Sequence, residues 1–423
     1  MNDRNRIIGK IDWLTVGIYL ALVMIGWFSI FSAKFDEMHP SIFDFSKEYG
    51  KQLVWIGVAL FIGFVVLLID AKFFNAFSLW IYVVVLATLL LLLVYGKATK
   101  GAVSWIEFGS VKFQPSEFAK MATALALAGY LDRLDVDLGK PKDCIVSCVI
   151  VLIPMALVLM QNDTGSALVF LSFIFVFYRE GLPGAGWVMV LGVLAVVLFI
   201  FSLLWSPKVV SLILAGCFVV VAAYKILAKK RGLVKTLVLF GGMVAFTFVA
   251  DFAFHHEKFP SHQRDRIEVL LGLRNDPKGV GYNVHQSKIA IGSGGLTGKG
   301  FLQGTQTKYD FVPEQHTDFI FCTIGEEGGF VGTSVVVLLY MALLMRLVYL
   351  AERQRSTFSR VYGYSIAGIF FMHFAINIGM AIGLMPVIGI PLPFLSYGGS
   401  SMLAFTIMLA IFIKQDANRL NIL

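Results

Sequence analysis

The chain has 423 residues, 58% of them hydrophobic and 15% charged, and its 35 lysines and arginines outnumber 27 aspartates and glutamates for a formal net charge of +8. A mean hydropathy of +0.79, with recurrent apolar runs near the roughly 20 residues that cross a bilayer, excludes a soluble protein. The runs are continuous rather than alternating, so the backbone is satisfied within helices and not in a β-barrel. The expected fold is an all-α, polytopic transmembrane helical bundle.

In chain order, hydropathy predicts spans near 12–33, 53–70, 76–95, 114–131, 144–160, 166–178, 187–205, 209–228, 236–254, 319–350, 361–385 and 398–414, about twelve in all. The first is long for a cleavable h-region and ends in IFSAKF without a small-x-small site, so it reads as a retained signal anchor. Basic residues recur in alternate short connections: Arg4, Arg6 and Lys10, then Lys72, Arg133 with Lys140 and Lys142, Arg179, Lys229 to Arg231 with Lys235, and Arg353, Arg355 and Arg360. That asymmetry puts these connections and both termini on the cytoplasmic side, and the long segment 255–318 outside. Cys144, Cys148, Cys217 and Cys322 lie within or beside apolar spans and read as buried thiols rather than disulfides or metal ligands.

Ionisable groups at membrane depth are costly, so each marks a candidate site. Glu117 and Lys120 in QPSEFAK are three apart on one helical face. Asp163 in QNDTGS stands between the fifth and sixth spans, Asp318 in HTDFIF opens the span after the long loop, and GLMPVIGIPLPFLSYGGSS (Gly383 to Ser401) fills the last outer connection. All four fall at the outer face, which suggests one outward-opening site. Each also has a plainer reading: a salt bridge for Glu117 and Lys120, a turn or helix cap for Asp163, and a cap for Asp318.

The loop segment GSGGLTGKG lacks the Ser or Thr that follows a Walker lysine and follows no strand, so it is not a nucleotide loop. Its glycines suit tight turns and close backbone approach to a ligand. Upstream, HQRDRIEVLLGLR sets Ile267, Leu270 and Leu271 beside Arg264, Arg266 and Arg274, a pattern for a surface helix that holds an anionic headgroup or simply anchors at the interface.

SWIEFGSVKFQPSEFAK, QNDTGS, the stretch from Asp276 through FLQGTQTKYDFVPEQHTDFIF to GEEGGFVG, and GLMPVIGIPLPFLSYGGSS occur in the order seen in the SEDS family of RodA, FtsW and SpoVE proteins. The chain resembles that family from about residue 10 to 415, and GTQ, where a division protein would carry GNSVQ, resembles its RodA branch.

The resemblance implies a peptidoglycan glycosyltransferase. It would polymerise lipid II into β-1,4 glycan strands at the outer face of the cytoplasmic membrane during elongation and shape determination. A class B penicillin-binding protein and other elongation-complex membrane proteins would be its partners, lipid II and the nascent strand its substrates, and nucleic acid would not be one. Asp318 matches the family's essential loop aspartate and would act as general base. Lys120, Arg264 and Arg266 are candidates to meet the leaving pyrophosphate. Glu117, Asp163, Trp105, Gln286, Lys288, His316, Thr317, Ser396 and Ser400 complete the candidate substrate-binding set. No cofactor is implied with certainty, and a divalent cation, Mg or Mn, would bridge carboxylates and pyrophosphate.

Two departures stand out. Ser104 occupies the place of an expected arginine before Trp105, and 206–254 reads as an inserted apolar hairpin beyond a ten-span core. The chain otherwise reads as one integral membrane domain, with 255–318 as its catalytic loop. Rival readings are a lipid II flippase, which needs polar groups distributed across depth, and a noncatalytic scaffold for a penicillin-binding protein.

Overall fold

The computed structural model describes residues 9–35, 41–96, 104–108, 111–228, 232–256, 260–274, 279, 281–309 and 311–420. Arg4, Arg6 and the run 229–231, used above for orientation, lie outside the described residues. The helices are α1 (Trp13–Ala33), α2 (Glu48–Leu68), α3 (Ala71–Ala76), α4 (Ser78–Tyr95), α5 (Pro115–Leu131), α6 (Pro141–Met160), α7 (Thr164–Val169), α8 (Phe173–Arg179), α9 (Ala185–Leu227), α10 (Leu233–His255), α11 (Ser261–Leu270), α12 (Tyr282–Ser293), α13 (Thr305–Lys308), α14 (Ile320–Glu352), α15 (Thr357–Ala381) and α16 (Gly399–Ala417). The strands described are β1 (Ile106–Phe108) and β2 (Val111–Phe113), antiparallel with Glu107 opposite Lys112. The all-α polytopic expectation therefore holds, with one short hairpin added.

Nine of the described helices are long and apolar enough to cross a membrane. The twelve expected segments are all helical, and the seventh and eighth are the two helical halves of α9, which follow one another without a loop. It breaks at Ser206, where φ is 69°, because Pro207 supplies no N–H to the ladder. α5 has only 17 residues and starts with Pro115 at its first turn, where a missing N–H costs nothing. Being almost wholly buried, α5 makes little demand on a lipid-facing length.

The chain forms two compact units, one of residues 1–183 and 283–423 and the other of residues 184–282. In the first, α15 packs on α14 and α5, while α16 packs on α2 and α14 on α1. Apolar lipid offers no hydrophobic drive between helices, so packing and polar links hold such a bundle. One end of this unit is tied by ion pairs. Arg346 pairs with Asp12, Arg353 with Asp416 at 2.5 Å, Arg360 with Glu180 at 2.8 Å and Arg179 with Glu352 at 2.7 Å.

The second unit is the α9–α10 hairpin with α11. Lys225 caps its turn by donating to Thr236 and to the Gly232 carbonyl at 3.4 Å. The segment 206–254 lies wholly within this unit, which begins some twenty residues earlier. The long loop is also more structured than a loop reading implies, because α11, α12 and α13 are all helical. The cysteines need correction too. All four are free, but only Cys322 is buried, and Cys217 is exposed on α9. In a lipid-facing span an apolar side chain satisfies its surroundings without entering the protein core.

Candidate active site

The residues around Asp318 are organised by the extended segment 383–398. Asp318 lies just before α14, whose N-cap position is Phe319. It is partly exposed. A Cβ built on Gly389, which sits at φ +75°, would stand 3.3 Å from Asp318 Oδ2. The carboxylate therefore lies against a position where only glycine avoids both a methyl contact and backbone strain.

Asn377 of α15 fixes this apposition. Its Nδ2 donates to the carbonyls of both Asp318 and Ile390, each at 2.8 Å. One turn earlier on the same helix, His373 Nδ1 lies 3.0 Å from the Pro391 carbonyl. A carbonyl can only accept, so Nδ1 carries the proton and Nε2 is the acceptor. Lys120 meets that Nε2 at 2.7 Å and Glu117 Oε1 at 2.8 Å. Glu117, Lys120 and His373 are fully buried, so the salt-bridge reading of QPSEFAK holds, and Lys120 presents no face to solvent.

Asp163 joins the same assembly from the other side. It caps α7 by accepting from Ser166 N at 3.0 Å, and its second oxygen accepts from Gln114 Nε2 at 3.0 Å and from Ser116 Oγ at 3.3 Å. Its neighbour Gly165 packs on Ile388 and Ile390, which flank Gly389. Ser400 Oγ donates to the Lys112 carbonyl at 3.0 Å and accepts from Gln114 N at 3.2 Å, while Ser396 Oγ accepts from Leu392 N at 2.8 Å. Ser396 thus closes a turn within the 383–398 segment, and Ser400 ties the start of α16 to β2 and to the residue before α5.

The other candidates are placed as follows. The His316 carbonyl accepts from Tyr397 N at 2.8 Å, and its ring lies 5.6 Å from that of Tyr397. Burial, with Glu48 nearby, pushes the Tyr397 phenol above its ordinary range. Thr317 Oγ1 turns back to the Glu314 carbonyl at 3.2 Å. Gln286 is partly buried and Lys288 exposed on α12, where the Lys288 stem lies along Gly383. Trp105 is partly buried just before β1. Arg264 and Arg266 sit on α11 in the second compact unit, where Arg264 donates to the His256 carbonyl at 2.9 Å and covers the Phe254 ring. The unit that holds Asp318 does not contain them.

The glycine segment serves a different purpose from ligand approach. Gly295 O and Leu296 O accept from Phe330 N and Val331 N at 2.9 and 3.1 Å, and Lys299 N and Gly300 N donate to the Glu326 and Glu327 carbonyls at 3.0 Å each. A Cβ on Gly298 (φ +79°) would overlap the Glu327 carbonyl, and one on Gly329 (φ +60°) would overlap Gly298. The close approach is backbone to backbone, around the break of α14 at Gly329. Glu326, fully buried, completes the lock by accepting from Lys299 Nζ at 2.6 Å, Gln306 N at 2.8 Å and Thr307 N and Oγ1 at 2.9 Å each. Glu327 accepts from Leu302 N at 3.1 Å and from Ser32 of α1.

The sequence reading missed His373, Asn377 and Glu326. The signal was available in MHFAIN, where two polar residues four apart interrupt an apolar span.

A family model described as cell cycle protein, FtsW/RodA/SpoVE, matches residues 12–215 and 208–420. The chain belongs to this family. It is 34% identical over 370 residues to the peptidoglycan glycosyltransferase MrdB of Escherichia coli K12, covering 87% of this chain and 85% of that one. It is 33% identical to the peptidoglycan glycosyltransferase RodA of Treponema pallidum, covering 99% of this chain and 100% of the relative. Among solved structures it resembles a chain from work on the coordination of polymerization and crosslinking by a peptidoglycan synthase complex, with TM-score 0.70, 25% identity and 97% and 99% coverage. The rod shape determining protein RodA of Thermus thermophilus is similar at TM-score 0.62, 26% identity and 97% coverage of each chain. The two family matches overlap at 208–215, just past the α9 break at Ser206.

Proposed function

We propose that this multi-pass membrane protein is a peptidoglycan glycosyltransferase that polymerises lipid II at the outer face of the bacterial cytoplasmic membrane during elongation, with both termini cytoplasmic. Asp318 is the base. It takes the proton from the 4-hydroxyl of the acceptor GlcNAc as that oxygen attacks C1 of the donor MurNAc, and undecaprenyl pyrophosphate leaves from the opposite face. A single inverting displacement turns an α-linked phosphate into a β-1,4 bond. A positioned base contributes about 10² to 10⁴ in rate. The observation that carries this reading is a partly exposed carboxylate held against Gly389, in a family whose relatives are named peptidoglycan glycosyltransferases.

Asp163 and Glu117 order the walls around that carboxylate through Gln114, Ser116 and Lys120. Arg264, Arg266, Gln286 and Lys288 are the basic and polar groups of the 255–318 segment available to anionic substrate. A divalent cation, Mg or Mn, bridging carboxylates and pyrophosphate would serve the same step. A class B penicillin-binding protein is the partner that the resemblance to a synthase complex supports.

The test is polymerisation of labelled lipid II by the purified protein, alone and with a transpeptidase-inactive partner, comparing wild type with Asp318→Ala. Glycan ladders lost in a well-folded variant support the reading. Ladders that persist remove Asp318 from the mechanism, and ladders absent under every condition shift the role to flippase or scaffold.

A further inference from the structure

The geometry assigns His373 and Asn377 a joint role as positioning residues that hold the 389–391 backbone against Asp318. The inference rests on Asp318 being the base. The two residues are four apart on α15, so they project from one helical face as neighbours. They grip consecutive carbonyls of the same segment, Asn377 that of Ile390 at 2.8 Å and His373 that of Pro391 at 3.0 Å.

Asn377 also grips the Asp318 carbonyl at 2.8 Å, so a single amide nitrogen joins the aspartate to the segment it faces. Two carbonyl acceptors settle which end of the amide is the nitrogen. The other end, Oδ1, is buried without a hydrogen-bond partner. A buried amide oxygen left unsatisfied is a net cost, and an apolar residue of similar shape would avoid it. What Asn377 supplies in return is the bridge.

His373 extends the grip inward. Its Nε2 accepts from Lys120, whose other partner is Glu117, so the orientation of the imidazole is set from α5. The line runs from Glu117 through Lys120 and His373 to Pro391, then through Ile390 and Asn377 to Asp318. Glu117, Lys120, His373, Ile390 and Asn377 are buried, and Pro391 is partly so. None of these groups needs to touch substrate. Their effect is on where the carboxylate stands, and a displacement of about 1 Å at a reacting group costs about a hundredfold in rate.

The experiment measures kcat and KM for labelled lipid II with Asn377→Leu, which keeps about the same volume and loses the donor without burying a charge beside two carbonyls, and with Asp318→Asn. Melting in detergent is followed for each. The expected result for Asn377→Leu is a kcat lowered about 10- to 100-fold, with KM within about twofold and a cooperative melting transition retained. Asp318→Asn should lose about 10²- to 10⁴-fold in rate at every pH. If Asp318→Asn shows that loss while Asn377→Leu keeps wild-type kcat, the positioning role is overturned. If Asp318→Asn polymerises normally, the base reading itself falls.

Should Asn377→Leu fail to fold, Gly389→Ala approaches the same contact from the other side. A lowered kcat with unchanged KM supports the inference, and wild-type kcat overturns it.

Discussion

Lys120 Nζ lies 2.7 Å from His373 Nε2, which makes a buried lysine the donor to a neutral imidazole while Glu117 neutralises its charge at 2.8 Å. The charge pair has no water to fall back on. Removing one member of a buried pair leaves the other uncompensated, at a cost of about 3–5 kcal/mol. Lys120→Met alone should therefore lower the melting temperature sharply, and the double variant Lys120→Met with Glu117→Gln should recover most of the loss. Differential scanning fluorimetry in detergent reads both, and a single variant as stable as the double refutes the coupling.

Asp318→Asn should reduce glycan polymerisation by about 10² to 10⁴ with little change in stability, because it keeps the side-chain shape and leaves the main-chain carbonyl that Asn377 holds. Gel-resolved glycan ladders together with a melting curve measure the two properties. A large fall in melting temperature would reassign Asp318 to a structural role.

Gly298→Ala should misfold the protein or lower its melting point strongly. The added methyl has no space before the Glu327 carbonyl, and φ is +79°. Strain of order 1–3 kcal/mol attaches to the backbone conformation alone. Gly292→Ala, on the same segment with open space at its Cβ, is the matched control and should behave as wild type. Equal stability of the two variants would refute the packing argument.

Asp12 offers a pH test at the opposite end of the first unit. Burial raises its carboxyl, but hydrogen bonds from Arg346 and Thr15 outweigh this and hold it down at about 2. A depressed carboxylate contributes stability that is fully present above its unfolded pKa of about 3.9 and is lost as pH falls through the folded value. Asp12→Asn should therefore be less stable than wild type by a constant margin above about pH 4, and the margin should shrink toward pH 2. A margin independent of pH would show that the ion pair with Arg346 does not carry the effect.

The spans were legible because each is a long apolar run whose ends are marked by proline, glycine or charge. The boundary between the seventh and eighth segments was marked in the same way, by Pro207 after the non-helical Ser206. The outer-face motifs were visible as polar residues in the wrong medium, and Asp163, Ser400 and Asp318 do converge on the 383–398 segment. Asn377 and His373 were hidden because their partners are backbone carbonyls, which leave no mark in a sequence. The glycine segment misled for a related reason. Spacing shows that a backbone must come close to something, and only the fold shows that this is the chain's own Glu326 to Gly329.

The interlocked glycines carry a consequence for how this protein can change. Gly294, Gly298 and Gly329 each meet main-chain atoms where a β-carbon would stand, so no single replacement of one can be relieved by trimming a neighbouring side chain. In a saturation library these positions should be empty of survivors. The lipid-facing surfaces of α9 and α10, buried over only 11% of their most apolar windows, should accept almost any apolar residue. Adaptive variation is thereby steered away from the knot at Gly329 and toward the outer surface of the hairpin.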